Sequence, residues 1–276
     1  MENIKCPVCP NYCILSEGQV GICRARSNIN GQIVPINYGH VTSLALDPIE
    51  KKPLNRFYPG SNILSIGSFG CNLKCSFCQN HSISMVKKDK AHTEYKEAEY
   101  IVNLALKLKD RNNIGIAYTY NEPLIGYEYV RDCAKLAKEH DLKNVVVTNG
   151  YFTEEVLEEI IPYIDAFNID LKSFTEEFYN GIGGDLGTVK NFIKKAAKQA
   201  HVEVTTLIIP GENDSEEEMK ELSSFLAGIN PKIPLHVSRF FPTYKMQDKS
   251  PTELGKVYRL AEIARENLDF VYEGNC

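Results

Sequence analysis

The residues best suited to chemistry are three cysteines, Cys71, Cys75 and Cys78, at C-x3-C-x2-C spacing. They follow a Gly-Ser-Phe-Gly bend, which in turn follows a compact apolar run at 63–66. Iron–sulfur clusters are held by cysteine thiolates, usually four of them. Because the local set stops at three, a four-iron cluster here would keep one iron free of protein ligands. An open coordination position of this kind is how a metal site leaves room for a substrate.

The alternative interpretation of this motif is a zinc knuckle or a chance group of buried cysteines. Zinc fits less well, because structural zinc needs four ligands and the sequence places no fourth cysteine nearby. The motif therefore indicates a catalytic iron–sulfur cluster.

Length and composition are those of an ordinary soluble protein. The 276 residues can bury a sizeable core, and 43% of them are hydrophobic while 24% are charged. A formal net charge of −5 gives no reason to expect binding to nucleic acid or to an acidic membrane surface. The sequence has no apolar run of about 18 residues and no signal-peptide core, so we expect a cytoplasmic location and no membrane span. Nine cysteines in such a chain indicate metal ligands rather than disulfides.

A second cysteine group, the tetrad, lies near the start of the sequence. Cys6, Cys9, Cys13 and Cys23 give C-x2-C-x3-C-x9-C, a complete set of four thiolates. Such a set holds structural zinc or a closed iron–sulfur cluster, and the spacing leaves this choice open. Unligated reduced thiols are the alternative. We predict that residues 1–60 form a cysteine-rich metal-binding appendage, with short strands at 33–38 and 41–46 and an extended, proline-rich connector at 47–54.

The rest of the chain, 61–276, alternates strands with helices. Predicted strands are at 63–66, 114–117, 145–147, 164–169, 202–209 and 235–237, with a last short run at 270–272. Predicted helices are at 95–108, 127–138, 154–161, 174–179, 189–200, 215–226 and 252–266. Strands separated by helices imply parallel pairing with right-handed crossovers. We predict an α/β fold, a partial (β/α)6 TIM-like barrel rather than an open doubly wound sheet, because each polar motif follows the C-terminal end of a strand.

Polar groups suited to a cofactor follow the second and third predicted strands. Tyr120, Asn121 and Glu122 follow the second strand, and their carboxylate and amide could chelate a ligand ammonium group. Glu122 could instead be only the first-turn acid of the next helix. Thr148 and Asn149 offer a hydroxyl and an amide to a ribose or a carboxylate, although a simple turn would explain them as well.

Later strand ends carry further candidates. Asp170 and Lys172 follow the fourth strand, either as a local ion pair or as a lysine beside a cofactor carboxylate. Ile209 closes the fifth strand with apolar backbone suited to lie along an adenine. His236 ends the sixth strand, where alternation puts it on one face with Ser238, and it is the better candidate for the lumen side, although a lone histidine would usually be structural. Arg239 is expected to reach back over the rim of the barrel.

Taken together, these motifs resemble the radical S-adenosylmethionine (radical SAM) superfamily, and especially the radical SAM enzymes of the AmmeMemoRadiSam system. The resemblance runs nearly end to end and extends to pyruvate formate-lyase activating enzymes. It rests on the tetrad and on the segments 47–54, 70–80, 118–123, 168–172, 204–207 and 238–242. Many members continue past the Gly-Asn pair with two further cysteines, whereas this sequence stops at Cys276. We therefore expect a metal site that uses such a tail to be absent or incomplete.

The resemblance implies a [4Fe-4S] cluster on Cys71, Cys75 and Cys78, whose open iron chelates S-adenosylmethionine (SAM). An electron from the reduced cluster would break the sulfonium bond, and the resulting 5′-deoxyadenosyl radical would abstract hydrogen from a protein or small molecule. The implied cofactor contacts are Phe77, Tyr120, Asn121, Glu122, Thr148, Asn149, Asp170, Lys172, Ile209 and His236. Arg239 and again His236 would lie on the substrate side. Implied partners are an electron donor such as flavodoxin or ferredoxin, and the AmmeMemoRadiSam partner proteins as candidate substrates.

Two alternative functions stay open at the level of sequence. A glycyl-radical-enzyme activase is the natural analogy among enzymes, although residues 79–117 contain no cysteine and so lack the ferredoxin-like insert of some activases. The other alternative is a non-catalytic iron–sulfur electron carrier or scaffold. A carrier needs no contacts to ribose, ammonium or adenine, so the polar strand ends favour the enzyme.

Overall fold

The computed structural model of the protein describes residues 3–276. The strands are β1 (Ile4–Lys5), β2 (Ile14–Leu15), β3 (Arg26–Ile29), β4 (Gln32–Pro35), β5 (His40–Val41), β6 (Ser43–Pro48), β7 (Asn62–Gly67), β8 (Glu94–Tyr95), β9 (Asn113–Tyr118), β10 (Lys143–Thr148), β11 (Ala166–Asp170), β12 (His201–Ile208), β13 (Leu235–Arg239) and β14 (Val271–Gly274). The α-helices are α1 (His81–Ser84), α2 (Ala98–Lys107), α3 (Tyr127–Glu139), α4 (Glu154–Ile160), α5 (Glu176–Ile182), α6 (Leu186–Ala196), α7 (Glu216–Ile229) and α8 (Leu254–Arg265).

The centre of the structure is an eight-stranded sheet with the order β6-β7-β9-β10-β11-β12-β13-β14. From β7 to β14 every neighbouring pair is parallel, and at least one helix lies in each crossover. β6 joins the edge at β7 in the antiparallel direction. The predicted α/β fold with a TIM-like parallel sheet is therefore confirmed, and the short run at 270–272 is part of a further parallel strand.

The helices pack on the sheet through apolar faces that their sequences predict. In α3 the buried residues Val130, Cys133, Ala134 and Ala137 recur at positions i, i+3, i+4 and i+7. This spacing places all four on one side of the helix, so α3 can cover the sheet while its charged residues face outward. Within the described residues, every helix is too short or too polar to cross a membrane.

The connector at 47–54 differs from the prediction, because Ile49–Lys51 forms a 3-10 turn instead of extended backbone. The turn folds into the lumen, where Ile49 and Leu54 are fully buried. There they join a small apolar cluster with strand residues Ile63, Ala117, Val145 and Ala166. Burying these two aliphatic side chains favours the turn over the extended form that the prolines alone suggest. The connector thus closes the lumen opposite the C-terminal ends of the strands.

Some predicted boundaries also move. Glu94–Tyr95 pairs with β5 as a strand, so α2 begins at Ala98 rather than at 95. α6 begins at Leu186, because the Asp185 side chain caps it by accepting from the Thr188 N–H at 2.6 Å. β6 lies within the predicted appendage yet pairs with β7 of the core. The predicted appendage and the predicted core therefore share one sheet, and the domain boundary at residue 60 stays a prediction.

Candidate active site

A cavity of about 580 Å³ opens at the C-terminal ends of the central strands. Among the residues that line it are most of the candidates predicted from sequence, namely Cys71, Cys75, Phe77, Cys78, Tyr120, Asn121, Glu122, Thr148, Asn149, Asp170, Lys172 and His236. Parallel strands end at one edge, so residues far apart in sequence meet there. The cysteines stand on the loop after β7, which we call the core cysteine loop (residues 68–80).

Glu122 is the buried carboxylate of this cavity, with 3% of its surface exposed. Its Oε1 accepts from Thr148 Oγ1 at 2.8 Å and from the Leu124 N–H at 3.1 Å, and its Oε2 accepts from the Asn149 N–H at 2.7 Å. Burial raises the pKa of Glu122 to about 7, although these hydrogen bonds act to lower it. Glu122 thus caps the 3-10 turn that follows β9 instead of standing as an acid in the first turn of α3, and it also faces the cavity.

Asn149 and Asn72 connect this carboxylate to the core cysteine loop. Asn149 Nδ2 donates to Asn72 Oδ1 at 2.8 Å and lies 3.7 Å from Cys71 Sγ. Asn72 Nδ2 in turn donates to the Tyr151 carbonyl at 2.6 Å. The sequence analysis did not select Asn72, because an asparagine between two predicted ligands gives no signal of its own.

The core cysteines have the chemistry of metal ligands. Burial raises the pKa of Cys71 well above its ordinary value and the pKa of Cys75 to about 11, where the nearby Lys172 charge partly offsets it. Thiols of this kind keep their protons at neutral pH unless a bound metal displaces them. An iron–sulfur cluster, whose iron atoms bind cysteine thiolates, therefore fits Cys71, Cys75 and Cys78.

Asp170 and Lys172 form the ion pair that one interpretation of their spacing predicts. Lys172 Nζ lies 3.0 Å from Asp170 Oδ2 and 6.0 Å from the centroid of the Phe77 ring. Burial acts to lower the pKa of Lys172, but the Asp170 charge more than offsets it and the pKa is raised. Lys172 therefore stays charged at the cavity wall.

A second charged group, Asp47, Lys52 and Tyr120, lies beside the cavity and was missed as a set by the sequence analysis. Asp47 Oδ2 accepts from Lys52 Nζ at 2.8 Å and from the Tyr120 hydroxyl at 2.6 Å. Burial acts to raise the pKa of Asp47, yet these two donors lower it to about 2. Burial and Asp47 together raise the pKa of Tyr120 to about 12. The sequence feature that could have indicated this group is the pair of Asp47 and Lys52, which lie five residues apart in a proline-rich segment.

On the far side of the cavity, His236 is buried in the lumen as predicted and contacts Glu203. His236 Nε2 lies 2.7 Å from Glu203 Oε2, and its ring stacks on Tyr272 with a centroid distance of 5.4 Å. The same carboxylate contacts His201 Nε2 at 2.9 Å and accepts from the backbone of the connector. The sequence analysis missed Glu203, which sits among apolar strand residues.

Two predicted candidates lie away from the cavity. Arg239 Nε donates to the Thr252 carbonyl at 2.7 Å, and its guanidinium lies 4.9 Å from the centroid of the Phe241 ring. Its side chain therefore does not reach back over the rim. β12 ends at Ile208, after which Ile209 turns into the core with no exposed surface. Neither placement tests a functional role, and both roles stay predictions.

The tetrad lines one small enclosed cavity of about 10 Å³ in the appendage, together with Arg26 and Ile125. Burial raises the pKa of Cys9 to about 12, and it also raises the pKa of Cys6 and of Cys23. In the part of the chain that the structure describes, no three His, Cys, Asp or Glu side chains are arranged to hold one metal ion. This holds for the core cysteines too, and a cluster binds each thiolate to a different iron.

Comparisons with known proteins agree with this geometry. The pattern described as the radical SAM superfamily matches residues 65–223. An uncharacterized protein of Methanocaldococcus jannaschii is 39% identical over 99% of this chain and 82% of its own length. A pyruvate formate-lyase-activating enzyme of Clostridium pasteurianum is 26% identical over 72% of this chain and 89% of its own. The crystal structure of Streptococcus suis SuiB bound to S-adenosylmethionine shares the fold, with a TM-score of 0.61 and 17% identity over 78% of this chain and 52% of that chain.

Proposed function

The chain belongs to the radical SAM superfamily, and from that premise we propose that it cleaves SAM reductively to act on a protein or small-molecule substrate. Members of the superfamily are enzymes that bind SAM and an iron–sulfur cluster. When bound, these groups would supply one-electron cleavage of the sulfonium bond and, through it, hydrogen abstraction from the substrate. We assign the [4Fe-4S] cluster to Cys71, Cys75 and Cys78. The other cavity residues would bind and orient SAM and exclude water.

The observation that carries this proposal is the environment of Glu122. All the hydrogen-bond donors that the described residues offer to this carboxylate are uncharged. A buried carboxylate without a cationic partner is costly, as its raised pKa reflects. Three donors also leave about one of its four lone-pair positions free. The ammonium group of SAM would supply the missing charge, beside the cysteine loop to which Asn149 and Asn72 tie Glu122.

The other residues divide by their position around the cavity. We assign Thr148 and Asn149 to contacts with the ribose or the carboxylate of SAM. Lys172 would pair with the negative charge of the SAM carboxylate. His236 lies on β13, one strand from the edge of the parallel sheet, and we assign it to the substrate side. A substrate larger than SAM can approach there, because β14 ends the sheet.

The test compares reductive SAM cleavage in the parent with that in single Cys71→Ala, Cys75→Ala and Cys78→Ala variants. We expect 5′-deoxyadenosine, measured by mass spectrometry after anaerobic reconstitution and reduction, to fall to background in each variant. Cys276→Ala is the matched control, because Cys276 is exposed and does not itself line the cavity, although its neighbour Asn275 does. If a core-cysteine variant makes 5′-deoxyadenosine at the parental rate, the cluster assignment is wrong. If the reduced parent does not bind SAM, the carrier alternative is favoured.

Activation of a glycyl-radical enzyme is the second candidate function. It is supported by the similarity to the activating enzyme of Clostridium pasteurianum. A protein substrate of this kind, and an electron donor such as flavodoxin or ferredoxin, are part of the proposal. A glycyl radical detected by electron paramagnetic resonance on a partner protein would favour it over small-molecule chemistry.

A further inference from the structure

We propose that the tetrad binds metal through its four thiolates, drawing together sulfurs that the described structure does not arrange around one metal ion. This centre would hold the core cysteine loop in its binding conformation through Asn11 and the Cys23 carbonyl. Metal in the appendage would then control how well the core cysteines retain iron. The role of the core cysteines rests on the proposed function. Asn11 is a positioning residue in this proposal, since it would act through the loop and not on SAM.

The first step is that the four thiols of the tetrad are surrounded by groups that would stabilise bound metal. Backbone N–H groups two residues further along the chain interact with the sulfurs of Cys6, Cys9 and Cys23. Such N–H groups stabilise sulfur when it carries negative charge, as it does on a metal. The wall of the same cavity also includes Arg26, whose buried Nε has no hydrogen-bond partner among the described residues. Arg26 already pairs with Glu128 through Nη1 and Nη2, each at 2.7 Å, so an anionic metal–thiolate centre would supply an acceptor only for its Nε–H.

The second step is a direct connection between the tetrad and the core cysteine loop. The Cys71 N–H donates to the Cys23 carbonyl at 3.2 Å, so a residue of one cysteine group is bonded to a residue of the other. Asn11 Nδ2 lies 3.6 Å from Cys9 Sγ and donates to the Asn72 carbonyl at 3.1 Å. Two adjacent residues of the loop, Cys71 and Asn72, are therefore held by the segment that carries the tetrad.

The close approach of the two segments is built into the backbone at Gly70. Gly70 has φ +94°, and a Cβ there would lie 2.5 Å from the Cys23 carbonyl oxygen. Only glycine tolerates both the left-handed conformation and this contact. The contact needs the Cys23 segment in one place, and a metal that joins Cys23 to Cys6, Cys9 and Cys13 would fix it.

The third step extends the connection to the SAM side of the cavity. Asn72 also accepts from Asn149, which donates its own N–H to Glu122. The appendage is fastened at a second point, where Thr153 Oγ1 donates to the Pro7 carbonyl at 2.9 Å. Loss of metal from the tetrad would therefore loosen residues that orient both the core cysteines and Glu122.

The experiment compares amide hydrogen exchange of residues 70–78 among the metal-loaded parent, Asn11→Ala, Asn11→Asp and Asn3→Ala. Asn11→Asp keeps the shape of the side chain but removes both N–H donors. Asn3→Ala is the matched control, because it removes an exposed hydrogen bond from Ser16 in the same appendage. We expect about tenfold faster exchange in both Asn11 variants, as for the loss of a partly buried hydrogen bond. Equal exchange in the Asn11 variants and Asn3→Ala would overturn the proposal.

Two metal measurements complete the test. In the Cys71→Ser/Cys75→Ser/Cys78→Ser variant, elemental analysis should find about one zinc or about four iron per chain on the tetrad. Background metal there would overturn the proposal.

In the iron-reconstituted chain, Cys9→Ser should lose core iron to a chelator several times faster than Cys276→Ser. Equal loss would also overturn it. If the parent retains no core iron, the proposed function fails, while exchange in the zinc-loaded chain still decides the connection through Asn11.

Discussion

Two buried glutamates in one lumen differ in a way that separates cofactor binding from structure. Glu122 faces the cavity at the end of β9, and Glu203 lies in β12, with at most 3% of either residue exposed. Burial acts to raise the pKa of both. In Glu122 burial prevails and the pKa is about 7, whereas in Glu203 contacts with His201 and His236 lower the pKa to about 2.

The difference in charge compensation between the two glutamates indicates where the chain leaves room for a ligand. Glu203 finds two imidazoles and two backbone N–H groups within the chain, so its charge is compensated before any ligand binds. Glu122 finds only uncharged donors among the described residues, so its charge is incompletely compensated. A cationic ligand gains most at Glu122. Glu203 instead fastens the connector and His236 together.

The largest expected effect separates the two glutamates by stability. Glu203→Gln should lower the free energy of unfolding by about 3–5 kcal/mol, because it leaves two histidines and two N–H groups facing an uncharged amide. Urea denaturation at pH 7 measures this. Glu122→Gln is the isosteric counterpart and should cost less, because it removes a poorly compensated charge. Equal losses in the two variants would break the comparison.

The next effect separates them by SAM affinity. Glu122→Gln should weaken SAM binding by about 2–5 kcal/mol, since the ammonium group loses its charged partner in a buried site. Calorimetric titration of the reconstituted protein measures this. Lys172→Ala should weaken SAM binding in the same range. Unchanged affinity in Glu122→Gln would place the SAM ammonium elsewhere.

A pH effect of opposite sign distinguishes the same two residues. Between pH 4.5 and about 7, the folded chain keeps a proton on Glu122 that the unfolded chain loses, so the free energy of unfolding should fall as the pH rises, by up to about 3 kcal/mol. The contribution of Glu203 is complete above pH 4.5 and is lost as the pH falls toward 2. Urea denaturation at pH 5, 6 and 7 should show the decline in the parent and in Glu203→Gln but not in Glu122→Gln. If the free energy of unfolding of Glu122→Gln still falls from pH 5 to pH 7, a group other than Glu122 causes the fall.

The smallest expected effect on SAM concerns His236. His236→Ala should change SAM affinity by less than about 0.5 kcal/mol, because His236 contacts Glu203 on the far side of the cavity. It should still uncouple 5′-deoxyadenosine formation from hydrogen abstraction on the true substrate. Arg239→Ala should also leave SAM affinity unchanged. If His236→Ala loses SAM binding as severely as Glu122→Gln, His236 belongs to the cofactor side.

Much of the site was predictable because its signals are local. C-x3-C-x2-C spacing depends on one loop, and the polar residues at strand ends meet wherever parallel strands pair. The adenine contact expected along the backbone at Ile209 stays a prediction, since the chain turns at the end of β12 and buries that side chain. The substrate-side role of Arg239 also stays a prediction, and its side chain donates to the Thr252 carbonyl in the loop that follows β13.

By itself the sequence determined the superfamily and the parallel sheet, and it predicted the cysteine ligands, because periodicity and spacing act over a few residues. Only the tertiary structure decided how buried charges are compensated, since that depends on pairs far apart in the chain. Asn11 meets Asn72 across 61 positions, Tyr120 meets Asp47 across 73, and the Asn55 N–H meets Glu203 across 148. A carboxylate in a strand looks the same in sequence whether the lumen provides a histidine or leaves a space for a ligand. Burial and the partners it brings determine which of the two occurs.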